Sequence, residues 1–316
     1  MKRYPIYILV ISCMLMFGIT SIHSQQVNTL YFLENAPMRH LINPAFQPVS
    51  NVYVTLPVIG YSSAWVGNNA FTMKDFIFTD KNGNTITPYH PNANPDWLAK
   101  KPKNTLIDAD AYINLFGLGV RIKDNGYFHL NISEHIIAGA ATGTNIFGIN
   151  QLDSGLIGPF NLGANALVYT DFALGYSHKI NDQWTVGGKF KFLVGQAYVN
   201  ANLDNISLAH SMEELHAYGN GNIVAAAPLQ WQNLPTDVTD LGNIDTEALA
   251  GTDYRDWITP AGLGAAFDLG ATYKPHEQVQ ISASVTDLGF IRWTNLAKGN
   301  LSIDTTFTGV ELNYGD

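Results

Sequence analysis

Residues 262–275 read GLGAAFDLGATYKP, and their apolar side chains recur at every second position. Leu263, Ala265, Phe267, Leu269, Ala271 and Tyr273 share one parity, while Gly262, Gly264, Ala266, Asp268, Gly270, Thr272 and Lys274 share the other. A period of two places the first set on one face of a β-strand and the second on the opposite face. Opposed residues of a hairpin lie on one face, so an odd-length connection preserves the parity of the apolar positions. Three strand pairs pass that test. Tyr112–Ile122 meets Phe128–Glu134 around KDNGY, Leu162–Ile180 meets Trp184–Asn200 through NDQ, and the 262–275 strand meets Val279–Thr286 around PHE. In the first turn, Asp124-Asn125-Gly126 suits a three-residue loop with Gly126 left-handed. In the second, pairing Ile180 with Trp184 sets Ala173 against Lys191 and Gly175 against Lys189, with Asp171 diagonal to Lys191. The shared-face rule makes Asp171, Lys189, Lys191 and Asp268 candidate lumen-facing residues, opposite the apolar band. They would form either a wall-stiffening ion cluster or a ligand-headgroup site.

What covers the apolar band decides the fold. A sandwich would cover it with protein and present charge on the other face. Only 14% of this chain is charged, against roughly 25% in soluble domains. Glycines number 28 and tyrosines 15. The start, MKRYPIYILVISCMLMFGITSIHSQQ, has a basic n-region, an apolar run and a polar end, and predicts a secretory leader over 1–24. An uncleaved anchor and a lipid box at Cys13 are the rival readings. Once the leader is removed no cysteine remains, which excludes disulfides, thiol nucleophiles and thiolate metal sites. A formal net charge of −9 argues against nucleic acid. Short turns lie at one end, and long connections at about 66–110, 135–161 and 201–260 lie at the other. Tyr127, Tyr176, Trp184 and Tyr273 flank the short turns, where an interfacial girdle needs amphipathic rings. The expected fold is all-β: an antiparallel transmembrane outer-membrane β-barrel over 51–316, behind a hatch-like segment over 25–50.

LYFLENAPMRHLINPAF near the start, AFDLGATY and VTDLGFIRW together resemble a Bacteroidetes family of outer-membrane barrels with FadL-like architecture. FadL-like proteins take up long-chain fatty acids and other hydrophobic compounds. The resemblance implies that Asn43, Pro44 and Ala45 shape a hatch that plugs the lumen. The plain alternative is that INPAF turns the chain into its first strand, since Pro44 cannot donate to a ladder. FadL-like barrels are larger than the nine or ten strands countable here. The end, ELNYGD, carries Tyr314 near but not at the terminus, so the chain is expected to stop short of its last strands.

No catalytic motif emerges. Ser133-Glu134-His135 would place Glu134 and His135 on opposite faces of a strand. The nine histidines lack metal-ligand spacing. The acidic stretch 237–256 lacks EF-hand spacing, leaving a solvated loop or an irregular calcium loop. The expected function is non-enzymatic and cofactor-free: passage or binding of small hydrophobic molecules in the outer membrane, with lipid as its surroundings and an apolar pocket under the hatch. The alternative is a scaffold that holds an envelope protein partner for secretion, attachment or envelope assembly.

Overall fold

The alternating segments become strands, and these run well past their apolar cores. A computed structural model describes residues 28–226 and 259–308, apart from 34, 58–59, 80–82, 88–94, 152–154, 211–213 and 295. The expected leader at 1–24 and the acidic stretch 237–256 lie outside the described residues, as does the end around Tyr314. The chain opens with α1 (Asn28–Phe32) and a 3-10 helix (Pro37–Leu41). Strands β1 (Val52–Thr55) and β2 (Ser62–Asn68) follow, then α2 (Met73–Phe76), β3 (Phe78–Thr79) and β4 (Thr85–Ile86). The long strands are β5 (Asn104–Ile122), β6 (Gly126–Gly143), β7 (Gly155–Lys179) and β8 (Trp184–His210). Last come β9 (Glu214–Ala226), β10 (Gly262–His276), β11 (Val279–Trp293) and β12 (Ala297–Thr308).

Ten strands form one antiparallel sheet, and β3 and β4 form a separate pair. Seven positions describe the large sheet. β1 and β2 share one edge of β5, β6 and β7 follow, and β8 divides its far edge between β10 and β9. β11 then pairs with β10 and β12 with β9. The sheet is not closed. Among the described residues, β1 and β2 form one margin, and β11 and β12 the other.

The second hairpin has the expected register, with Ala173 opposite Lys191 and Gly175 opposite Lys189. The first turn differs. Its loop is Lys123-Asp124-Asn125, closed by the Ile122–Gly126 pair, and Lys123 rather than Gly126 takes the left-handed conformation at φ 54°. The third hairpin uses a two-residue turn, so His276 opposes Val279, and a bulge restores the parity match by setting Tyr273 against Ile281. The expected long connections shrink because strands continue through small and polar residues without an apolar signature. β6 runs on to Gly143, β8 to His210, and β9 lies inside the 201–260 stretch.

Burial is inverted relative to a soluble sandwich. On β7, Asp171, Ala173 and Ser177 are buried while Phe172, Leu174 and Tyr176 are exposed. On β10, Asp268 is 0% exposed, whereas Phe267 and Leu269 stand 52% and 61% exposed. Trp184 and Tyr273 stack at 4.6 Å beside the short turns, on the outer side with Tyr176. Tyr127 does not join them. Its parity matches His129 and Asn131, and it lies fully buried on the inner face, stacked on Tyr53.

Candidate functional site

The segment between α1 and β1 folds against the polar inner face. Pro37 opens the 3-10 helix, where its missing N–H goes unused and its fixed φ suits the turn. At the helix end, Asn43 bends the chain through its own side chain, whose Oδ1 accepts the Ala45 N–H at 2.9 Å. The same amide donates through Nδ2 to the carbonyls of Ala271 (3.3 Å) and Ala283 (3.1 Å), bridging β10 and β11. Ser284 Oγ donates to the Ile42 carbonyl at 2.8 Å, and Gln47 Nε2 to the Asn125 carbonyl at 3.0 Å. Gly187 and Gly270 make this approach feasible. A Cβ at Gly187 would overlap the Pro44 carbonyl, and one at Gly270 would overlap the Asn43 side chain. Asn43, Pro44 and Ala45 thus lie against the sheet's polar face, each almost fully buried.

His40 is the segment's innermost side chain. Its ring stacks on His129 at 4.3 Å, and the Tyr53 hydroxyl lies 2.9 Å from Nε2. Burial holds the imidazole well below the usual histidine range, and the charges at His129, Lys189 and Lys191 add to that. It is neutral in the folded protein.

Above the hatch the candidate charges gather. Lys189 lies 3.3 Å from Asp268 Oδ2 and donates to the His40 carbonyl at 3.1 Å. Lys191 lies 3.0 Å from the same oxygen and 2.5 Å from Asp287 Oδ1. Asp171 shares their face, but its partner is His135 Nε2 at 3.3 Å rather than the diagonal lysine. Lys191 reaches across to β10 and β11 instead, drawn by two carboxylates. Asp287 is not among the residues that the strand parity singles out. It sits left-handed, at φ 59°, in a bulge opposite Asp268, and its N–H donates to Asp268 Oδ1 at 2.8 Å. The sequence does carry the signal, since the apolar parity of this strand changes from odd (Ile281, Val285) to even (Leu288, Phe290) across it.

Asp171, Lys189, Lys191 and Asp287 line a cavity of about 580 Å³, together with Tyr61, Trp65 and Tyr112. The pocket expected to be apolar therefore has a mixed lining, with four aspartates and two lysines among its residues. His135 faces it, stacked on Tyr169 at 4.5 Å, while Glu134 points to the other face as the strand period requires. There Glu134 Oε2 accepts the Thr170 hydroxyl at 2.7 Å and Gln196 Nε2 at 3.3 Å, interrupting the outer apolar band with a satisfied polar patch. Among the described residues no His, Cys, Asp or Glu cluster could hold a metal ion.

Fold and site together define an all-β protein whose antiparallel sheet packs its polar face against the N-terminal segment ahead of β1. The chain belongs to DUF5723, a family of unknown function, whose model matches residues 44–316. No curated protein and no solved structure matches it.

Proposed function

We propose that this chain forms the wall and hatch of an outer-membrane β-barrel that binds or passes small molecules with a hydrophobic part. The inverted burial carries the reading. Phe172, Leu174, Phe190, Phe192, Phe267 and Leu269 form a continuous outer band, roughly half exposed, while Asp171, Lys189, Lys191 and Asp268 on the same strands are almost fully buried. Full burial of such a side chain is worth roughly 1.5–3 kcal/mol, so a band of this size favours a lipid covering. The hatch and the cavity above it add a ligand chamber, whose volume falls within the roughly 300–1,000 Å³ typical of small-molecule sites. The mixed lining turns the ligand class from purely apolar compounds to amphiphiles. No step requires catalysis or a cofactor.

Cysteine labelling tests the membrane part, since Cys13 is the chain's single cysteine and lies in the expected leader. In vesicles, Leu174→Cys and Phe267→Cys should resist a water-soluble maleimide. Free labelling of both would defeat the reading. Native mass spectra in mild detergent test the ligand part, through an amphiphile-sized adduct that survives transfer.

A further inference from the structure

The cavity's two lysines are already committed. Lys189 is held by Asp268 and the His40 carbonyl, and Lys191 by Asp268 and Asp287. Not all of the carboxylates are. Asp108, Asp110, Asp171 and Asp287 line the cavity, and Asp268 pairs with both of its lysines. Five carboxylates then face two ammonium groups, and protonating His135 would still leave the region negative. Asp171 is 4% exposed, lines the cavity, and its Oδ1 has no hydrogen-bond partner among the described residues. A buried carboxylate oxygen without a donor is expensive to maintain. Asp110 lines the same chamber, directly opposite Trp65 across the β2–β5 ladder, with Tyr112 two residues along. Carboxylates beside aromatic faces favour a cation with an organic body, because ring faces attract positive charge while the body covers apolar surface.

We infer that the cavity binds a small organic cation, its ammonium or guanidinium held by Asp171 and Asp110 and its body packed on Trp65 and Tyr112. A metal ion is the poorer occupant, since no metal-holding cluster forms among the described residues. This rests on the proposal that the protein is a binding or passage barrel, and it names the ligand class for that chamber.

Calorimetric titration of the full chain in non-ionic detergent at pH 7 tests it, with three probes of similar size: 2-phenylethylammonium, 3-phenylpropanoate and 2-phenylethanol. The ammonium should bind at least tenfold more tightly than either of the others. Asp171→Asn should weaken it at least tenfold and Asp110→Asn several-fold, while Asp182→Asn, in the exposed β7–β8 turn, leaves it unchanged. Asp110→Asn decides the matter should Asp171→Asn fail to fold. Tighter binding of the carboxylate or the alcohol would overturn the inference and leave the binding reading standing. Undiminished ammonium binding in both variants would do the same. Failure of all three probes to bind would overturn both.

Discussion

Gly187 and Gly188 are neighbours on β8, yet alanine at the two positions should have opposite effects. A methyl at Gly187 would lie 2.6 Å from the Ala45 nitrogen and closer still to the Pro44 carbonyl, both backbone atoms of the hatch. A methyl at Gly188 meets Leu269 Cδ2 at 3.7 Å and the Asp268 carbonyl at 3.8 Å, both ordinary contacts. Overpacking of this kind typically costs about 1–3 kcal/mol. Relief requires the hatch to lift, which strains the Asn43 bonds to Ala271 and Ala283, each worth roughly 0.5–1.5 kcal/mol net. A cost near 2 kcal/mol raises the undocked population ~30-fold. Gly188→Ala should be neutral or slightly stabilising, since it restricts the unfolded chain without a clash. The assay is tryptic cleavage after Arg39, in the hatch, followed by mass spectrometry under conditions where cleavage tracks the population of the open form. Gly187→Ala should cleave there tens of times faster than wild type and Gly188→Ala at the wild-type rate. Equal rates in the two variants would refute the close approach of hatch and sheet.

Asn43→Ala removes two bridges to the sheet and the turn that seats Pro44, and should lower stability by roughly 2–3 kcal/mol in guanidinium unfolding. Asp268→Asn takes the shared partner from two buried lysines. It should cost roughly 3–5 kcal/mol, and Asp268→Asn combined with Lys189→Met should recover part of that loss. Acid should loosen the hatch. His40 stays neutral when folded, while the unfolded chain takes up a proton below about pH 6.5. Stability is therefore full above that pH and falls by up to roughly 1.4 kcal/mol per unit below it. Unfolding midpoints at pH 7.0 and 5.5 should drop further in wild type than in His40→Gln, and identical drops would contradict the buried neutral histidine.

Local pattern alone determined the strands of three hairpins, their antiparallel pairing and the face that most of their residues take, because a two-residue period leaves one register that keeps the apolar residues together. The Ala173–Lys191 and Gly175–Lys189 pairs follow from that rule, and so does the shared inner face of Asp171, Lys189, Lys191 and Asp268. Strand length was not legible. The far halves of β6, β8 and β9 mix Ala, Asn and Gly with scattered apolar residues such as Ile136, Leu203 and Ile223, and backbone pairing with neighbours extends them without a clean side-chain period. Nor was partner choice, since parity fixes a face but not a reach. Lys191 could be placed inward, but only the stacking of β8 against β10 and the Asp287 bulge delivers it to Asp268 and Asp287, and so leaves Asp171 to His135. Gly187 and Gly270 leave room for a segment against the inner face. That this is Asn43-Pro44, some 140 and 230 residues away along the chain, is a long-range fact, set by packing that no local stretch of sequence encodes.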